Sequence, residues 1–141
     1  MTDIEKQAEE IYMKLQIIDQ NIKNLQKQAQ IIEMQFAELM MTSQSIDEFK
    51  KIKTDSNILV PFGPGLYAKA DLKNNKELIV SIGAGVAVKK DADSAKKLVE
   101  AQLEQMHEIR KTMASELEKL VKHAEIYQNE LQKLVSMQEA K

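Results

Sequence analysis

From Ile4 onward the apolar residues return at alternating steps of four and three. The series runs Ile4, Ala8, Ile11, Leu15, Ile18, Ile22, Leu25, Ala29, Ile32, Phe36, Leu39, Ser43 and Ile46, with Ser43 its one polar member. A 3.5-residue period held this long specifies a coiled-coil seam rather than the broader face of a globular helix. A second run keeps the period through Val99, Leu103, Met106, Arg110, Met113, Leu117, Leu120, Ala124, Tyr127, Leu131 and Leu134. Arg110 is the exception; a long side chain can snorkel out of a seam, so it reads as a tolerated register marker. Thr2 and Glu5 form a candidate capping box, and Asp91 a candidate N-cap with Asp93 in the first turn. Ile46, Phe49 and Ile52 recur at steps of three and leave the seam. That is either a stammer or the place where the helix departs from its partner.

The first run spans residues 2–52 and the second 91–138, so the helices nearly match in length. Paired antiparallel, they bring Ile46 near Ala95 and Ile4 near Met137. Between them lies a different pattern. Leu66, Ala68, Ala70 and Leu72 alternate with Tyr67, Lys69 and Asp71, as do Leu78, Val80 and Ile82 with Ile79 and Ser81. Period two marks strands. A short strand from Ile58 to Phe62 ends at Gly63-Pro64-Gly65, and Val86 and Val88 follow Gly83-Ala84-Gly85. Asn74-Asn75 is expected to supply the positive φ of a tight turn. The reading is four short strands in two hairpins, and two hairpins are not a stable sheet alone. The seam is used between the helices, which leaves nothing of the chain to cover the hairpins. Other chains must complete them.

Composition agrees with long helices: charged residues are 30%, aromatics 4%, and tryptophan is absent. The net charge of −2 gives no case for nucleic-acid binding. With no cysteine, disulfides and thiolate metal sites are excluded. The opening MTDIEKQAEE carries acids where a secretory leader is basic, then apolar, and Leu78–Val88 is too short to span a bilayer. A soluble cytoplasmic protein, bound to neither membrane nor nucleic acid, is expected.

The glycine pairs match neither a P-loop nor a dinucleotide-binding loop and are strand corners. His107 and His123 stand sixteen apart, without metal-ligand spacing. No serine sits in a nucleophile elbow. No catalytic constellation, metal site or cofactor is expected. The eight methionines, Met1 included, suit adaptable apolar contacts, although Met106 and Met113 are also plain seam fillers. Met40 and Met41 are adjacent, so at least one lies off the seam. Leu131, Leu134, Val135 and Met137 crowd the last turns with more apolar surface than a two-helix seam needs.

Long heptad helix, ILVPFGPGLYAKADL, turn, ELIVSIGAGVAVKKDADSA and a second heptad helix together resemble the prefoldin family, α class, over nearly the whole chain. The specific part is Leu59-Val60-Pro61 with Gly63 and Gly65, then Ser81-Ile82-Gly83-Ala84-Gly85-Val86. Two hairpins match the α class; the β class has one. The resemblance implies a hexamer of two α and four β subunits, with a double β-barrel platform and six coiled-coil arms. It further implies ATP-independent capture of unfolded proteins at the arm tips and delivery to a group II chaperonin. A related archaeal branch forms filaments.

The expected fold is α+β: a long antiparallel two-helix coiled coil with two central hairpins that complete an intersubunit β-barrel. The expected division is 1–53 helix, 54–90 hairpins and 91–141 helix, one structural unit overall. Expected oligomerisation residues are Leu59, Val60, Leu66, Ala68, Ala70, Leu72, Leu78, Val80, Ile82, Val86 and Val88. Expected client-binding residues at the far end are Ile4, Ala8, Ile11, Leu131, Leu134, Val135 and Met137. The rival reading is a structural or filament-forming coiled-coil protein without client delivery; an enzyme is a distant third.

Overall fold

The computed structural model describes residues 2–140, so Met1 and Lys141 lie outside the described residues. Helix α1 (Asp3–Lys51) leads to strands β1 (Asn57–Gly63), β2 (Leu66–Asp71), β3 (Glu77–Gly83) and β4 (Val86–Asp91), then helix α2 (Ala92–Glu139). The helices are 49 and 48 residues long. Strands β1 and β2 form one antiparallel pair and β3 and β4 another.

Both helix starts are capped as their sequences foretell. The Thr2 hydroxyl accepts from the Glu5 N–H at 3.2 Å, and the Glu5 carboxylate accepts from the Thr2 N–H at 3.1 Å. Each satisfies an amide that the first turn leaves without a partner. At α2 the Ser94 N–H donates to Asp91 Oδ1 at 2.6 Å. That bond favours the ionised carboxyl, and Asp91 titrates below the usual carboxylate range.

The chain divides into two compact units, one made of α1 through Gln35 with α2 from Met106 onward, the other of Phe36–Gln105. In the first, Leu15, Ile18 and Ala124 are buried, with Ile11, Ile22, Leu120, Tyr127 and Leu131 packed on them. Each fully buried leucine or isoleucine contributes about 1.5–3 kcal/mol. Two polar pairs record the antiparallel register. The Gln138 amide donates to Glu5 at 3.2 Å, and Arg110 Nε donates to Glu33 Oε1 at 2.6 Å. Twenty-eight residues forward on α1 therefore match twenty-eight back on α2. Arg110 is half-buried in the seam and held by that carboxylate.

In the second unit Ile46, Ala92, Ala95 and Val99 are buried, with Leu39, Phe49, Leu78, Val80 and Leu103 against them. The Lys96 ammonium donates to both oxygens of Asp47 at 2.6 and 2.8 Å and lowers the Asp47 pKa. Lys50 donates to Asp93, and that bond raises the Lys50 pKa.

The hairpins are duplicates. Asn57 pairs with Asp71 and Glu77 with Asp91, and each later rung repeats twenty residues on. Val60, Gly63, Gly65, Lys69 and Asp71 recur as Val80, Gly83, Gly85, Lys89 and Asp91. Each hairpin has one extra residue before its turn, Phe62 in β1 and Ile82 in β3, where the register shifts. The turns themselves differ. Pro64 fixes its φ at about −65° and Gly65 has φ 75°, a type II pattern. Ala84 and Gly85 have φ 51° and 75°, a type I′ pattern.

The linker between the hairpins departs from expectation. Neither Asn74 nor Asn75 has positive φ; outside glycine only Asp55 and Ala84 do among the described residues. Asn74 Oδ1 instead accepts from the Lys76 and Glu77 N–H groups at 2.8 and 3.3 Å. The Asn75 amide donates to the Ile52 carbonyl at 2.9 Å, satisfying an acceptor freed where α1 ends. An asparagine offered a nearby unpaired backbone group takes the hydrogen bond and needs no left-handed conformation.

Candidate functional site

Two surfaces carry the residues singled out by sequence. On the first hairpin Ile58, Val60, Ala68 and Ala70 share one face, because Val60 lies opposite Ala68 and Ile58 opposite Ala70. On the second, Leu78, Val80, Val88 and Lys90 take the same places. Among the expected oligomerisation residues, Leu59, Val60, Leu66, Ile82 and Val86 are exposed, while Ala68, Ala70, Leu72, Leu78, Val80 and Val88 are half-buried.

The expectation that the helices have nothing left to cover the hairpins is corrected at β3. Leu78 and Val80 pack on the Ile46, Ala95 and Val99 cluster. Phe49 has turned off the four-three seam to meet them, and the small Ala92 and Ala95 leave room for the strand. Beside this contact lies an open groove of about 620 Å³, walled by Ser45, Phe49, Ile79 and Leu98 among others.

The most exposed large apolar hairpin residues were not foreseen as site residues. Phe62 is 77% exposed and Ile79 73%, and Tyr67 is exposed as well. Their signal was present. Leu78-Ile79-Val80 is an unbroken apolar run, the mark of a strand covered on both faces, whereas alternation implies one. Phe62 was hidden by the bulge, which frees its side chain from the alternation. Large apolar side chains thus project from both faces of hairpins whose edges pair with nothing else among the described residues.

At the other set, Ile4, Ala8, Ile11, Leu131 and Leu134 are half-buried, and only Val135 and Met137 stand exposed. Ile11 and Leu131 pack on one buried cluster. Tyr12, Met13, Ile17 and Ile126 are exposed apolar residues that a single-seam reading passed over. Met40 and Met41 are both exposed, while Met106 and Met113 fill the seam. Among the described residues no group of acidic, histidine or cysteine side chains is placed to hold a metal ion. No helix among them is long and apolar enough to cross a membrane.

A coiled-coil subunit that presents two open, apolar β-hairpins is the class of protein these features define. The family model described as "Prefoldin subunit" matches residues 18–136, and the chain belongs to the prefoldin family. It is similar to the prefoldin subunit alpha of Methanococcus vannielii, 32% identical over 63 residues, which cover 45% of this chain and 41% of that protein. The prefoldin subunit alpha of Methanococcus maripaludis strain C5 is likewise 32% identical over 63 residues, 45% of this chain and 42% of that one. The matched stretch spans about two fifths of these relatives' length. In fold the chain is similar to the filamentous PFD of Methanocaldococcus jannaschii, solved by cryo-electron microscopy. The TM-score is 0.72 at 16% identity, covering 81% of this chain and 94% of that one.

Proposed function

We propose that the chain is the α-class subunit of a prefoldin-type holdase. Its hairpins complete a β-barrel shared with other subunits, two α with four β. Its helix ends hold apolar segments of unfolded proteins without ATP, for delivery to a group II chaperonin. The cytoplasm is its expected compartment. The observation that carries this reading is the pair of hairpins with Phe62 and Ile79 bare on a chain of the prefoldin family. A two-stranded hairpin is marginally stable by itself and gains from further strands or a covering element, and the helices cover only the Leu78–Val80 side of one of the two. Capture is by non-covalent burial, and several weak contacts add through shared attachment to one assembly.

The test is aggregation of a denatured protein diluted into buffer, followed by light scattering. With β-class subunits present, the full assembly is expected to suppress scattering. An assembly lacking about the first ten and last ten residues is expected to keep its size and lose the protection, since terminal turns are the least packed and open first. Equal protection by the trimmed assembly removes the helix ends as the capture site. No protection by the intact assembly favours a filament or scaffold.

A further inference from the structure

One difference between the duplicate hairpins alters the strand backbone itself: Pro61 of β1 stands where β3 has Ser81. The cross-strand bonds show which way that place faces. In an antiparallel pair, residues bonded across alternate with residues whose N–H and C=O point away from the partner strand. The Ala92 N–H donates to the Lys76 carbonyl at 2.7 Å, one rung outside the Glu77–Asp91 pair. Leu78 and Val80 are therefore bonded to β4, and Glu77, Ile79 and Ser81 turn their backbone groups outward. The Leu72 N–H donates to the Ser56 carbonyl at 3.0 Å, one rung outside Asn57–Asp71, so Asn57, Leu59 and Pro61 hold the same outward places on β1. Every outward place on β3 has an N–H donor. On β1 the last is a proline, which has none. The outer edges of β2 and β4 carry Lys69 and Lys89 at matching places and do not distinguish the hairpins.

A row of outward backbone donors and acceptors is matched by another extended strand. The open groove of about 620 Å³ lies on this side of β3: Leu78 to Ser81 form its strand wall, and Phe49 and Leu98 belong to its helix wall. A strand laid against β3 bonds Glu77, Ile79 and Ser81 and drops alternate side chains onto Phe49 and Leu98. We propose that β3 takes a full-length strand from the hairpin of a neighbouring subunit, and that Pro61 withholds β1 from the same pairing, leaving it an overlap through Asn57 and Leu59. The inference rests on the prefoldin-type assembly proposed above and adds which edge is used and which residue decides it. A proline on an edge strand is one of the devices by which sheets refuse a further strand.

The test is assembly of full-length chains with β-class subunits, followed by sedimentation. Ser81→Ala keeps the N–H and is expected to assemble as the wild type does. Ser81→Pro removes it at a place where the first hairpin already holds a proline, so helical circular dichroism is expected to be unchanged. Assembly is expected to weaken about tenfold or more, because a carbonyl of the incoming strand is left without its donor. Pro61→Ala returns a donor to β1 and is expected to give species larger than the wild-type assembly. In the wild type, hydrogen exchange at the Ile79 and Ser81 amides is expected to slow on assembly. Wild-type assembly by Ser81→Pro, or exchange at these amides that assembly leaves unchanged, overturns the proposal while the holdase reading stands. Wild-type size for Pro61→Ala overturns the role given to Pro61. Should Ser81→Pro lose helicity, the exchange measurement and Pro61→Ala decide. Exchange that slows only with an unfolded client gives the edge to the client and overturns the proposal. A wild-type chain that does not assemble with β-class subunits overturns both the proposal and the reading beneath it.

Discussion

Ala84 sits at φ 51° in a position where a side chain is disfavoured, while the matching turn places Pro64, whose ring suits its place. A left-handed alanine costs roughly 1 kcal/mol, and the turn is otherwise open, with nothing within 4 Å of where a Cβ on Gly83 or Gly85 would fall. Ala84→Gly relieves that cost and returns part of it as chain entropy. The expected outcome is a net gain of about 0.5 kcal/mol, read as a raised denaturant midpoint for the assembled protein. A lowered midpoint would mean that no strain resides at Ala84. Single residues were the hardest level to read from sequence. Arg110 looked like an isolated charge because its partner, Glu33, is distant in the chain and meets it only through the antiparallel register. Asn75 was assigned to a turn by its own habits, yet its partner is a carbonyl exposed by the end of another element.

The seam was legible because each heptad position answers one question, whether it faces the partner helix, and every member from Ile4 to Ile46 and Val99 to Leu134 is buried or half-buried. Its load is uneven. Leu15, Ile18 and Ala124 are the buried residues of the first unit, and the middle layers between them and Phe36 are only half-covered. Leu15→Ala should therefore cost about 2–3 kcal/mol, toward the low end for a core leucine because a two-helix seam can relax around the gap. Gln16→Ala, one position off, should stay within about 0.5 kcal/mol. Thermal melting by circular dichroism compares the two; similar shifts for both would contradict the seam. What the seam did not single out were Ile17 and Ile31, exposed apolar residues of α1 that fall outside its four-three series.

For the whole molecule, the decisive property is that its hairpins are finished only in part by its own helices. Leu78 and Val80 are already engaged by Ile46, Ala95 and Val99, so charging Val80 would damage the subunit's own core along with any assembly. Phe62 and Ile79 are different. They are the most exposed large apolar residues of β1 and β3, and Ile79 points opposite to Val80 along the strand. Phe62→Asp with Ile79→Asp should leave both helices and the Leu78 contact intact while placing two carboxylates where the proposed barrel puts a neighbouring sheet. Burying each unpaired charge costs several kcal/mol, enough to dissociate an assembly held by such faces. Sedimentation of the double variant with β-class subunits should show smaller species of unchanged helicity, and client protection should fall with them because separate arms lose their shared attachment. A variant that keeps full size places assembly elsewhere. One that dissociates yet still protects would mean that a single subunit suffices to hold its client.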